Sequence, residues 1–266
     1  MKVAVYLFRR FYTTWSVTWF LFPFAMAYPL FRVFLRKPEW YRHAHSLNRF
    51  WSSMALRMFL VPVKVIWKFK HNRNQKYIFC PNHSSYIDIP LMLHAVPGFL
   101  NFVGKSSLCK VPLWGPIYEK LYISVDRKNK LSSAKSYISS VRSLDAGRSL
   151  VIFPEGTIAD TAGVKMLEFK DGPFKLAIEK QVPIVPVSMP YNHLFLPDLD
   201  GKLKVRWSRL EIVLHEPIDT TGMTVDDIPF LKQKVYDIIE SEFIHNRHDN
   251  RYTYAPQAGT LGKAGV

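Results

Sequence analysis

Cysteine and acid are both scarce in this chain. Cys80 and Cys109 are the only cysteines in 266 residues. That excludes a disulfide framework and points to small core residues in a reducing compartment. Asp and Glu number 21 against 36 Lys and Arg, leaving a formal net charge of +15 and a pI near 9.7. Such a surplus needs anionic company: nucleic acid, an anionic lipid surface or acidic substrates. No recognised nucleic-acid motif is present, so nucleic acid is not an expected partner. There is no internal repeat. A hydrophobic fraction of 48% with 15% aromatics excludes a disordered protein, and the length suffices for one well-buried domain plus an accessory element.

Charge is missing altogether from residues 11–31, which carry Trp15, Trp19, Phe20, Leu21, Phe22 and Phe24. About 20 apolar residues suffice to cross a bilayer core as a helix. The run is too long for a cleavable signal peptide, and no small-x-small site follows it. Basic residues flank it on both sides, Arg9 and Arg10 before and Arg32, Arg36 and Lys37 after, whereas a simple span shows a one-sided bias. With Pro23 and Pro29 able to break the run, the expectation is a re-entrant or interfacial hairpin with both ends on the cytoplasmic face. A full crossing and a buried core helix are the alternatives. Residues 41–60 space Ala44, Leu47, Trp51, Met54, Ala55 and Met58 at helical intervals with Arg42, Arg49 and Arg57 between them. That pattern suits an amphipathic helix with snorkelling arginines in a headgroup layer, or one packed on a globular domain.

Beyond residue 62 the pattern alternates. Residues 63–70 have period two and read as a strand, as do 77–80, 101–104, 122–125, 149–153, 184–189 and 203–214. Helices are expected through Leu91, Met92 and Ala95, and at 131–145, 172–181 and 226–243. Strands alternating with helices predict an α/β domain with a central mixed or largely parallel sheet flanked by helices. The organisation expected is N-terminal membrane-associated helices at 1–61, an αβ domain at 62–244 and a loosely ordered tail at 245–266.

Four segments can carry chemistry, each where a strand ends and a loop or helix begins. In the first, His83 can take a hydroxyl proton near neutral pH, and Asp88 can hold its other ring nitrogen. Five residues apart on one helix they would diverge, so His83 belongs on the loop and Asp88 at the helix start, which Pro90 supports. An N-cap aspartate and a satisfied loop histidine are the plainer readings. The second runs from Gly104-Lys105-Ser106 to Arg127. Phe99 stands where a P-loop needs glycine, which argues against a nucleotide-phosphate cradle. Lys105 and Arg127 can still serve a substrate phosphate, or be ordinary surface cations. In the third, Phe153-Pro154-Glu155-Gly156-Thr157, Gly156 allows close backbone approach and Glu155 can accept from substrate hydroxyls; a strand-ending turn is the alternative. The fourth, Val182-Pro183-Ile184-Val185-Pro186, is a core strand or the lining of an acyl channel.

In this order the four segments resemble the glycerolipid acyltransferase family, its bacterial lysophosphatidic acid acyltransferases in particular. The matching residues are Asn82-His83 with Asp88, Ile123-Ser124-Val125-Asp126-Arg127, residues 153–157 and residues 182–186, with Lys105, Pro112 and Trp114 between the first two blocks. The resemblance covers residues 77–190. It implies an αβ acyltransferase domain with an N-terminal membrane-embedded element. His83 would be the general base and Asp88 its orienting partner. Lys105, Arg127, Glu155, Gly156 and Thr157 would bind the acceptor's glycerol phosphate. It also implies an acyl-acyl carrier protein or acyl-CoA donor, membrane lipids as partners, no metal, no cofactor, and a place on the cytoplasmic side of the inner membrane. Cys80 leaves a thiol relay conceivable. Leu121 stands where the family usually has glycine, and Ile158 where it usually has arginine. Ile158 favours a lyso-amino-acid lipid as the alternative acceptor. A membrane lipid-binding module without catalysis is the reading from another class, and the His83–Asp88 pair argues against it.

Overall fold

The computed structural model describes residues 2–158, 165–197 and 204–247. The tail expected over 245–266 begins later than that, since residues 245–247 still belong to the last helix; residues 248–266 lie outside the described residues. Helix α1 (Lys2–Phe34) is one continuous helix, where the sequence suggested a hairpin broken at Pro23 and Pro29. Each proline removes one backbone hydrogen bond, at a cost of about 3 kcal/mol. Packing outweighs that loss. Phe24 and Phe31 are buried on either side of Pro29, and Phe24 packs against Trp51 and Trp114. The hairpin is instead formed between α1 and α2 (Tyr41–Met58). Trp51 donates to the Phe20 carbonyl at 2.8 Å, Trp15 to Met58 at 2.7 Å and Tyr12 to Phe59 at 2.7 Å.

The apolar stripe of α2 faces inward, toward α1, α3 (Asp88–Ala95) and α4 (Trp114–Leu121). Its Arg49 does not snorkel: Nε donates to the Leu93 carbonyl at 3.0 Å. Buried Asn48 donates to the Tyr122 hydroxyl at 2.7 Å, fixing the register of α2 on the domain. Along α1 the outward face is apolar, with Phe11, Phe22, Met26 and Leu30 at least half exposed. By length and composition α1 is able to cross a membrane.

A seven-stranded sheet forms the centre, in the order β1-β7-β6-β2-β5-β3-β4. Its strands are β1 (Val63–Trp67), β2 (Ile78–Pro81), β3 (Leu100–Lys105), β4 (Ile123–Val125), β5 (Ser149–Ile152), β6 (Ile184–Ser188) and β7 (Leu210–Leu214). Only the β6–β7 pair is antiparallel, so the sheet is mixed and largely parallel, as the alternating pattern predicts. Successive side chains divide between two cores. Phe79, Val151 and Val185 face α2 to α4, while Ile78, Cys80, Leu150 and Ile184 face α5 (Lys130–Asp145), α6 (Gly172–Lys180) and α8 (Ile228–Arg247).

One strand reading needs correction and one open choice is decided. The strand expected over 203–214 is confined to Leu210–Leu214. Before it, Val205 N–H bonds the Thr13 hydroxyl and Arg206 N–H bonds the Phe195 carbonyl, so the backbone is engaged by helices rather than a neighbouring strand. Residues 184–186, read as a possible acyl-channel lining, lie fully buried in β6 between β2 and β7. They are core.

His215, just past β7, is buried with Nε2 at 2.8 Å from the Ser188 hydroxyl. Burial, reinforced by Lys68, pushes its pKa from 6.5 down to about 4, against an upward pull from Glu242. The unfolded chain therefore binds a proton that the folded chain refuses, and stability falls as pH drops from about 6.5 to about 4. In His215→Gln the slope of unfolding free energy against pH over that window should be smaller by up to about one proton. Denaturant titrations at a series of pH values measure it; an unchanged slope contradicts the assignment.

Candidate active site

β2, β6, β5, β3 and β4 run parallel to one another, so their carboxyl ends share one edge of the sheet. There a crevice can form, because the loops diverge while the strands stay fixed. His83 follows β2, Lys105 ends β3, Arg127 follows β4, and Glu155 and Gly156 follow β5. The topology thus gathers the first three motif blocks at one edge, while the fourth, residues 182–186, leads into the buried strand β6.

Past Pro81, Asn82 locks β2 to β6. Its side chain accepts from Met189 N–H at 2.7 Å and donates to the Met189 carbonyl at 3.3 Å. The chain then turns through residues 83–87 before α3 begins at Asp88. His83 Nδ1 lies 2.9 Å from Asp88 Oδ2. Asp88 is fully buried, whereas the His83 side chain keeps 16% of its exposure. Oδ2 also accepts the backbone N–H groups of Ser84 and Ser85 at 2.9 and 3.0 Å. Asp88 therefore reaches back to fix the loop instead of capping the helix; the cap residue is Ile87. With Nδ1 committed, Nε2 is the nitrogen open to a substrate, and no hydrogen bond engages it among the described residues. The ring stacks on Phe153, centroids 4.0 Å apart. Phe153 belongs to the third motif, but nothing in its spacing identified it as the platform for His83.

Glu155 corrects the sequence reading. It is 4% exposed, and both oxygens are engaged by backbone: Oε1 accepts His83 N–H at 2.7 Å and Oε2 accepts Leu167 N–H at 2.8 Å. It clamps the histidine loop to the chain before α6, and its burial leaves it little access to a substrate hydroxyl. Burial raises its pKa, countered by those two amides and by His83. Gly156 adopts φ +82°, a conformation that side chains rarely take. A Cβ there would sit 3.7 Å from the Arg127 guanidinium, so Arg127 lies over bare backbone. Arg127 is partly desolvated, which lowers its pKa while Tyr118 pulls it back up. It remains a cation at neutral pH.

Lys105 is exposed and pairs in register with Val125, two residues before Arg127. Both cations thus belong to adjacent strand ends. Thr157 is exposed, its hydroxyl turned to the Ile158 carbonyl at 3.4 Å. Ile158 is half-buried and supplies no cation. Leu121 is buried in the core at the end of α4, so this departure from the family pattern carries no information about the acceptor. Cys80 is fully buried facing the opposite helix layer, and burial pushes its thiol up, which argues against a thiol relay.

Comparisons with known proteins show what the chain is similar to. A family model described as Acyltransferase matches residues 63–190. Over those residues the chain is similar to the acyltransferase family. Sheep 1-acyl-sn-glycerol-3-phosphate acyltransferase alpha is 28% identical over 93% of this chain and 85% of its own length. The Haemophilus influenzae 1-acyl-sn-glycerol-3-phosphate acyltransferase is 30% identical over 61% and 66%. The chain spans 64% of the length of the Limnanthes douglasii relative, at 28% identity over 70% of this chain. The crystal structure of the 1-acyl-sn-glycerophosphate acyltransferase of Thermotoga maritima superimposes with TM-score 0.72. It covers 92% of this chain and all of that one, at 23% identity, and shares the fold.

The Glu155 clamp is open to test. Glu155→Gln replaces an acceptor oxygen with a donor and leaves one buried amide unpaired, at a cost of about 1–3 kcal/mol. A lower thermal midpoint is expected, together with faster hydrogen exchange at the His83 or Leu167 amide. Wild-type values for both would show that the clamp contributes nothing.

Proposed function

We propose that the protein transfers a fatty acyl group from an acyl thioester to the sn-2 hydroxyl of 1-acyl-sn-glycerol 3-phosphate, forming phosphatidic acid for phospholipid synthesis. The observation that carries this reading is the His83–Asp88 pair. A buried carboxylate holds Nδ1, an aromatic platform holds the ring, and Nε2 is presented at the sheet edge that also collects Lys105 and Arg127. The names of the sheep and Haemophilus relatives point the same way.

In the proposed reaction Nε2 takes the acceptor's hydroxyl proton as its oxygen attacks the thioester carbonyl. Asp88 holds the tautomer that leaves Nε2 unprotonated and stabilises the imidazolium that forms. The tetrahedral intermediate collapses by breaking the C–S bond, and the imidazolium returns the proton to the leaving thiolate. Ester and free thiol result, with no oxidant, metal or covalent enzyme intermediate called on by the chemistry. Arg127, over Gly156, and Lys105 hold the acceptor phosphate. Thr157 stands at the rim. The donor is acyl-acyl carrier protein or acyl-CoA.

The exposed apolar face of α1 and the basic residues at both its ends favour a lipid-surface location, on the cytoplasmic side of the inner membrane. Apolar substrate tails then stay in the bilayer while the headgroup reaches Arg127.

The test uses purified protein in nanodiscs with acyl-acyl carrier protein or acyl-CoA, and either lysophosphatidic acid or a lyso-amino-acid lipid. Phosphatidic acid is expected, falling at least about 100-fold in His83→Ala and Asp88→Asn. Arg127→Ala should raise KM for lysophosphatidic acid by roughly 10- to 100-fold, with a smaller effect on the donor KM. Wild-type turnover by His83→Ala would sink the mechanism. Turnover of only the amino-acid acceptor would sink the substrate assignment.

A further inference from the structure

We propose that Asn192 is a positioning residue for this reaction, acting through Asp88 on His83; the inference rests on the acyl-transfer reading above. Asn192 opens the short helix α7 (Asn192–Phe195), which follows β6, and lies 104 residues from Asp88 in the chain. Both side chains are fully buried, and Nδ2 of Asn192 donates to Oδ1 of Asp88 at 2.8 Å. The two oxygens of Asp88 are thereby divided. Oδ2 takes His83, Ser84 and Ser85, whereas Asn192 is the donor to Oδ1 among the described residues.

That division matters because a carboxylate can rotate about its Cβ–Cγ bond. Donors on Oδ2 alone hold one oxygen and leave the tilt of the group to the other. With Oδ1 pinned by a residue from a different element, the plane is fixed, and with it the direction from which Oδ2 meets His83 Nδ1. The orientation of the Asn192 amide is forced as well, since its oxygen would repel the carboxylate. Its second donor direction points to Met189 Sδ at 3.4 Å.

Asn192 also breaks a packing rule. Its Oδ1 is buried with no hydrogen-bond partner. A buried acceptor without a donor is costly, and a leucine of similar volume would avoid the cost. Such a violation is expected where a residue serves a site rather than the core. The benefit here is the N–H donated to Asp88. The other titratable groups facing Asp88 are His83 on its own loop, Glu155 from the loop after β5 and His193 beside Asn192. None of these supplies Oδ1 with a donor.

Two variants decide the matter. Asn192→Leu removes the donor at similar volume and should lower kcat for phosphatidic acid formation about 10- to 100-fold, with KM for both substrates nearly unchanged. Asn192→Asp sets a second carboxylate against Asp88, which holds the proton on His83 more tightly. The acid limb of its kcat/KM profile should therefore move to higher pH. A residue that only supports folding would lower the thermal midpoint and leave that limb in place. An unmoved limb in Asn192→Asp, or wild-type kcat in folded Asn192→Leu, overturns the proposal. Where Asn192→Leu does not fold, the Asn192→Asp profile decides alone. The same shift is readable without turnover from the His83 ring protons by NMR. A wild-type enzyme inert toward lysophosphatidic acid would thus end the proposed function and still leave the Asn192 question answered.

Discussion

The buried carboxylate of Asp88 is the constraint on which the site depends. An acidic group with no exposure needs its donors from the protein, because removing it from water costs several kcal/mol. Charge-assisted hydrogen bonds return about 1.5–3 kcal/mol each, so several must converge for the group to be tolerated. Here four do: from His83, from two consecutive loop amides and from Asn192. They come from the loop after β2 and the helix after β6. Meeting at one carboxylate demands that these strands end at the same height. Asn82, paired with both backbone groups of Met189, sets that height. The chemistry of the loop is therefore bound to the register of two central strands.

Glu155 repeats the logic on the other side of the histidine. Asp88 fixes the ring through Nδ1, while Glu155 fixes the backbone of the same residue through its amide. Phe153, two positions earlier, carries the ring face. His83 is thus held at three points by groups that cannot themselves reach solvent, and its free edge is Nε2. That is the pre-organisation the proposed general base requires, since a wandering imidazole would spend binding energy on alignment. The motif after β5 serves two ends: its buried members shape the base, and Gly156 lets Arg127 lie close above.

Much of this was legible in the sequence, for definite reasons. Short, nearly continuous apolar runs around Ile78, Leu150 and Ile184 mark strands buried on both faces, and the helical intervals between them imply parallel connections. The loop position of His83 and helix-start position of Asp88 follow from a five-residue spacing and from Pro90. What sequence pattern could not supply was long-range. Glu155 carries the same side chain whether it faces a substrate or the His83 amide 72 residues away. Asn192 lies outside every motif block, and its partner is 104 residues distant. The hairpin expected at Pro23 and Pro29 failed for a related reason: local proline rules cannot anticipate the burial of Phe24 and Phe31 against the domain. Residues 182–186 left a core strand and an acyl channel both open, because an apolar β-branched run looks alike in a channel wall and in a central strand; their burial in β6 decides for the core.

The basic surplus now has a structural division. Arg49, on the inner side of α2, binds the Leu93 carbonyl and is spent on packing. Arg9, Arg10, Arg32, Arg36 and Lys37 lie along the outside of α1 or just past its end, beside apolar side chains that no part of the described chain covers. An apolar face bordered by cations matches the boundary between acyl chains and anionic headgroups. Arg127 and Lys105 form a third group, at the sheet edge with His83. The separation follows from what each group must meet. A cation that recognises one phosphate needs a fixed guanidinium over bare glycine backbone, whereas cations that hold a surface need only number and reach. A substitution that moved charge from the sheet edge to α1 would leave the net charge unaltered and remove the proposed anchor of the acceptor. Net charge alone is therefore uninformative about the substrate; the position of Arg127 over Gly156 is what joins the basic composition to the chemistry of His83.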